Sequence, residues 1–199
     1  MHPFDDMFKP ATYLAKIIWD SIGENLKSAR IGMDYLQNNA RVIAKEGIPM
    51  HWVTPVGFPV YQYYPEMKSK RVCSHLMGEV FAPQIKVEKD ETDKLRAANY
   101  VHSLDSACMV RTVNIAKEKG IENFCNVHDS FATHACDIDK LNESIREAFV
   151  GIFKQNLLSS FKLDVGLQLD TETKEKLPAI PKSGNLELDL LHKCKFFFA

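Results

Sequence analysis

Asn126-Val127-His128-Asp129-Ser130-Phe131 is the stretch on which both fold and chemistry turn. Ile121, Phe124, Cys125 and Val127 supply an apolar run, and Phe131 opens a return across a short polar step. The pattern predicts the end of a buried strand, a tight turn and a returning strand. Asp129 then projects from the hairpin tip. A carboxylate held this way suits a hard divalent cation such as Mg²⁺, which takes oxygen ligands and is usually bound by one or two carboxylates together with substrate phosphates. One carboxylate is half of such a site.

Working outward, the hairpin is flanked by helical patterns. Residues 95–119 are helical, in two pieces, with Ser103 as N-cap of the second and Gly120 as terminator. His102 then lies beside a helix N-terminus, where backbone N–H groups can meet a phosphate. Downstream, Asp137 caps a helix through Leu141, Ile145, Phe149 and Phe153 to about Gln155. Further on, Asp170–Lys176 is a charged stretch, Pro178, Pro181 and Gly184 make an extended loop, and Leu186–His192 forms a short helix. The terminal Phe196-Phe197-Phe198-Ala199 should be docked, because burying one phenylalanine is worth about 1.5–3 kcal/mol.

Upstream, Leu14, Ile18, Ile22, Leu26, Ala29, Met33, Leu36, Ala40 and Ile43 recur at steps of three and four, the mark of one long helix or two joined near Gly23. Gly47 caps it and Pro49 prevents continuation. No strand precedes this helix to pack on it, so its partners lie elsewhere. Thr54-Pro55-Val56-Gly57 is a turn between a strand at Trp52 and an aromatic strand at Val60–Tyr64. Residues 66–87 read as a two-stranded ribbon broken near Gly78, followed by an acidic loop. Such a ribbon fits a DNA major groove, where Lys68, Lys70 and Arg71 could meet phosphates or base edges; a solvated basic face is the plainer alternative.

The 199 residues, 45% of them hydrophobic, are enough for a substantial core. A formal net charge of −1 excludes the global basic signature of a freestanding nucleic-acid binder, so any such contact is local. Cys73, Cys108, Cys125, Cys136 and Cys194 are odd in number and form no C-x-x-C pair, which fits reduced thiols in a cytoplasm. The N-terminus lacks a basic region followed by an apolar run, and no stretch reaches the roughly 18 apolar residues of a membrane span. A soluble, non-exported chain with no membrane partner is expected. Gly-rich phosphate loops, G-x-S-x-G and HExxH are absent. Cys125, His128, His134 and Cys136 offer zinc-type ligands, but their spacing fits no usual finger, and the odd separation of Cys125 and His128 puts them on opposite strand faces.

Several segments, in order, resemble the C-terminal part of the single-subunit, phage-type DNA-directed RNA polymerases, a family that includes the mitochondrial enzymes. They are Tyr13-Leu14-Ala15-Lys16, Trp52-Val53-Thr54-Pro55 with Gly57-Phe58-Pro59-Val60, Val101-His102-Ser103-Leu104-Asp105, Val127-His128-Asp129-Ser130-Phe131 with Thr133-His134, and Phe197-Phe198-Ala199. The resemblance implies a partial right-hand polymerase of α+β class: a fingers-like region at 1–100 containing the long helix and a specificity-type ribbon near 66–87, a palm segment at 101–160, and a C-terminal helical foot at 161–199. It implies that Asp129 is one of two aspartates of a two-metal Mg²⁺ site, with His128 orienting the hairpin. His102 would contact the growing RNA–DNA end. Arg71 and Cys73, two apart on one strand face, would read promoter bases, with Lys70 beside them. Phe198 and Ala199 would support the active site.

The second aspartate, the phosphate-contacting lysine and the ribonucleotide-selecting tyrosine of the family all map upstream of the matched region. The expected function is therefore that of a C-terminal subunit, working with DNA template, RNA product, ribonucleoside triphosphates and a second polypeptide that carries the upstream motifs. A non-catalytic remnant that at most binds nucleic acid is the alternative. The expected setting is the cytoplasm of a phage-infected bacterium rather than a mitochondrion.

Overall fold

In the computed structural model, residues 8–62, 65–74, 78–87 and 92–197 are described, with side chains for 10–62 and 97–197. The N-terminal periodicity resolves into two helices, α1 (Phe8–Asn25) and α2 (Lys27–Glu46), parted at Leu26, where ψ swings to 50°. Hydrogen bonds from Leu26 N–H to the Ile22 carbonyl (2.8 Å) and from Arg30 N–H to the Leu26 carbonyl (3.0 Å) carry the helical ladder around the kink. Gly23 lies one turn earlier and makes room for the Arg30 side chain, since a Cβ there would stand 2.1 Å from its guanidinium. Gly47 ends α2 in the left-handed conformation (φ 71°), its N–H returning to the Ala44 carbonyl, as the Gly-x-Pro signal predicted.

The two helices have different surroundings. In α2, Tyr35, Leu36, Ala40 and Ile43 are buried. On α1, Tyr13, Leu14, Ile18, Trp19 and Ile22 are exposed, Trp19 at 65%. The apolar stripe read from the sequence thus continues onto a surface that the described residues leave uncovered.

Strands β1 (Met50–Val53) and β2 (Pro59–Gln62) pair antiparallel, with Trp52 opposite Val60. Their turn is closed by Gly57 at φ 82°, whose N–H meets the Thr54 carbonyl at 2.8 Å, while Phe58 N–H donates to the Thr54 hydroxyl at 3.0 Å. Glycine is the residue that takes this φ without steric cost. Strands β3 (Pro65–Ser74) and β4 (Gly78–Val87) form the expected ribbon, with Arg71 opposite Phe81 and Cys73 opposite Glu79.

Helix α3 (Thr92–Glu118) is one continuous element, not two. Ser103 is therefore not an N-cap and His102 is not at a helix N-terminus. Ser103 lies mid-helix, donating to the Tyr100 carbonyl at 2.7 Å and accepting the Trp52 indole N–H at 2.9 Å. A serine can bond back to the preceding turn without ending a helix, and here tertiary packing uses its second valence.

After the hairpin of β5 (Cys125–Val127) and β6 (Ser130–Ala132), a single 3₁₀ turn leads into α4 (Ile138–Phe153). Asp137 holds the N-cap position but makes no side-chain cap bond; it pairs instead with Lys140 at 3.0 Å, which keeps its carboxyl below the usual range. Helix α5 (Leu157–Leu167) has no counterpart in the periodicity reading. It packs on β1, where Gln168 accepts from His51 N–H (3.1 Å) and donates to the His51 carbonyl (2.7 Å), and Asp164 accepts from Val53 N–H. Side chains from α5 and its C-cap thus finish the open edge of β1. Helix α6 (Thr171–Glu175) is capped by Asp170, which accepts the Thr173 N–H at 2.7 Å.

Two apolar clusters form along α3. The larger joins α2, β1, α3 and α5 through Trp52, Tyr100 and Phe161, with Tyr100 and Phe161 ring centroids 4.4 Å apart. The smaller, Ala116, Ile121 and Leu141 with Phe124, Phe131 and Ile145, lies beneath the β5–β6 hairpin. Among the described residues, no helix is long and apolar enough to cross a membrane.

Candidate functional site

Val127 pairs with Ser130, leaving His128 and Asp129 as the two-residue connection. His128 has φ 53°. Positive φ at the first turn residue suits the twist of a tight hairpin, and histidine is among the side chains that tolerate it better than most. The base is latched by Thr133, whose hydroxyl donates to the Asn123 carbonyl at 2.8 Å.

The strand expected to be buried is not. Val127 is 63% exposed and Cys125 is exposed, while Asn126 and Phe131, paired across the strands, turn toward the smaller cluster. Side chains alternate on a strand, so in a two-stranded hairpin one face meets the core and the other looks outward. The apolar residues at 125 and 127 fall on the outward face.

Asp129 is exposed at the tip and borders a cleft of about 460 Å³ that it lines with Ser130, Phe131, Ile138, Leu141, Asn142 and Ile145. The donors at this mouth are a carboxylate and a hydroxyl, both hard oxygens of the kind Mg²⁺ prefers. Among the described residues, no group of three or more His, Cys, Asp or Glu side chains is arranged to hold a metal. Asp129 and Ser130 could offer oxygen ligands there, but among the described residues they make no complete metal cage.

The other predicted residues lie on other elements. His102 is exposed on α3. It lies 14 residues before Ala116, which supports the hairpin, a span of about 21 Å along a helix. Its neighbour Ser103 borders a separate apolar cleft, also about 460 Å³, between α3 and the Thr54–Val60 turn. Lys70, Arg71 and Cys73 are on β3, opposite Ala82, Phe81 and Glu79 of β4; their side chains are outside the described residues. Phe198 and Ala199 are also outside them. Phe197, just before, is half-buried, edge-on to Phe149 at 5.1 Å, whereas Phe196 is 79% exposed.

Arg146 was missed by the sequence reading. It is only 7% exposed, on the inner side of α4. The available signal was a basic residue one turn from both Asn142 and Phe149, set among Ser144, Ala148 and Val150 on a helix whose polar face is elsewhere.

Residues 2–175 match the family model described as DNA-dependent RNA polymerase. DNA-directed RNA polymerase 2B, chloroplastic/mitochondrial, of Nicotiana tabacum is 34% identical over 200 residues, covering 97% of this chain and 19% of the relative. DNA-directed RNA polymerase 2A of the same plant is 34% identical, with 97% and 57% covered. The DNA-directed RNA polymerase of Enterobacteria phage T3 is 35% identical over 210 residues, covering 95% of this chain and 24% of that enzyme. The chain thus spans from about a fifth to just over half of these relatives' lengths. With the family model matching most of its residues, and phage and organellar relatives aligned nearly end to end, this chain belongs to the DNA-dependent RNA polymerase family of the phage-type, single-subunit kind.

Proposed function

We propose that this chain supplies the C-terminal part of the nucleotidyl-transfer site of a DNA-directed RNA polymerase, with Asp129 as one of its two metal-binding aspartates. The observation that carries this reading is the exposure of Asp129 at a two-residue turn, at the mouth of a cleft, inside the Val-His-Asp-Ser-Phe motif. Mg²⁺ bound there would activate the RNA 3′-hydroxyl and stabilise the leaving pyrophosphate. His128 sets the turn that aims the carboxylate. His102 contacts the primer end, Lys70, Arg71 and Cys73 meet promoter DNA, and the Phe198-Ala199 terminus supports the site.

The second aspartate comes from an upstream polymerase portion on another polypeptide. An open surface supports this: the apolar side chains of α1, including Leu14, Ile18 and Trp19. Contiguous exposed apolar surface of this kind marks an interaction site. A phage-infected bacterial cytoplasm is the setting this reading favours, the T3 relative being its support.

The test is RNA primer extension on a DNA template with Mg²⁺. The isolated chain should be inactive and gain activity when joined with a chain carrying the upstream motifs. Asp129→Asn should abolish the activity of the assembled enzyme while leaving assembly intact. Activity of the isolated chain, or near-normal rates with Asp129→Asn, would overturn the proposal, and an assembled but inactive wild type would favour the non-catalytic remnant.

A further inference from the structure

The least exposed charged side chain of α4 has no part in the site so far described. Arg146 carries a guanidinium into the interior at 7% exposure. Its Nε donates to the Asn142 Oδ1 at 2.7 Å, its Nη1 donates to the main-chain carbonyl of Leu191, and its Cζ lies 5.3 Å from the centre of the Phe197 ring. Among the described residues these partners are an amide, a carbonyl and an aromatic face, with no carboxylate ion pair. Taking a cation out of water is costly unless its donors are met. An arginine at such a position holds its neighbours together through its planar fork, which a lysine or a leucine cannot reproduce.

What it joins is informative. On one side are Leu191 and Phe197, in the C-terminal segment some 45 residues further along the chain. On the other is Asn142, which lines the same cleft as Asp129. The segment has a second, weaker tether in the ion pair of Lys154 with Asp189 at 2.6 Å, which is exposed on both sides.

We propose that Arg146 is a positioning residue: it clamps the C-terminal segment onto α4 and, through Asn142, fixes the wall of the cleft beside Asp129, so that C-terminal docking and the setting of the catalytic carboxylate are one mechanical unit. This rests on the reading of Asp129 as a metal ligand. Loss of the clamp frees the segment and the Asn142 side chain together.

The experiment uses the assembled polymerase, with active sites counted by a single-turnover burst so that rates are per competent site. Arg146→Gln and Asn142→Ala are made singly and combined, beside Asp129→Asn. Asn142 is exposed, so its truncation leaves folding intact even if Arg146→Gln does not fold. Losing a hydrogen bond to a charged group predicts a drop of about tenfold or more in per-site rate, a raised Mg²⁺ requirement, and unchanged affinity for primer–template. The double variant should be no slower than the slower single one, because both cut the same linkage. A normal per-site rate and Mg²⁺ dependence in Asn142→Ala, or fully multiplicative losses in the double variant, would overturn the clamp. If Asp129→Asn is itself active, the catalytic reading fails instead, so the two failures are distinguishable.

Discussion

Replacing Ser103 by alanine removes one oxygen from the middle of α3 and should cost far more than a surface serine would. The Trp52 side chain is 1% exposed, and its indole N–H donates to the Ser103 hydroxyl at 2.9 Å. Ser103→Ala leaves that N–H buried with no acceptor, a penalty of about 1–3 kcal/mol. The bond that Ser103 makes to the Tyr100 carbonyl is lost as well, but a mid-helix carbonyl keeps its ladder partner, so this adds little. In Trp52→Phe the donor is absent, and Ser103→Ala in that background should cost under about 0.5 kcal/mol. The coupling between the two sites is then on the order of 1–2 kcal/mol. Urea denaturation followed by far-UV circular dichroism on the four proteins measures it. Equal costs of Ser103→Ala in the two backgrounds would show that the bond carries no net energy and that α3 and β1 are joined by packing alone.

Two further outcomes follow from individual side chains. Burial pushes the Cys108 thiol up to about 11, helped by Asp105 and opposed by Arg111; at pH 8 it should react with iodoacetamide far more slowly than the exposed Cys125 and Cys136, and mass spectrometry showing equal labelling would contradict that environment. Lys154 holds the Asp189 carboxyl below the ordinary range, chiefly by donating to it at 2.6 and 2.7 Å, against an opposing desolvation. Because the folded value is the depressed one, this tether contributes above the unfolded aspartate pKa of about 3.9 and is lost as pH falls through the lower folded value. An NMR titration should place the Asp189 midpoint below that of an unpaired aspartate and return it to the ordinary range in Lys154→Met; no difference between the two would remove the tether from the account.

Elements whose ends are written in backbone chemistry were legible in advance. Gly47 must sit past the end of α2 because the left-handed C-cap favours glycine, and the Thr54–Gly57 turn follows from proline and glycine at their corners. The β3–β4 ribbon and the hairpin around Asp129 are local too, since each pairs segments adjacent in the chain. Ser103 misled because serine caps helices often, and nothing local says that a buried indole will claim its hydroxyl instead. Helix α5 escaped because its apolar residues, Leu157, Leu158, Phe161, Leu163, Val165 and Leu167, surround the axis instead of forming one stripe.

The sequence by itself determined the family motif and the position of Asp129 at a tight turn, because motif order and turn chemistry are properties of the chain. Only the tertiary structure decided which face of the hairpin looks outward, that His102 lies mid-helix, and that Arg146 is buried with its guanidinium on the Leu191 carbonyl. The physical reason is common to all three. Periodicity says which residues share a face, but which face is covered, and by what, depends on contacts with other elements, such as those of Phe131 with the Ala116 and Leu141 cluster and of Arg146 with Leu191.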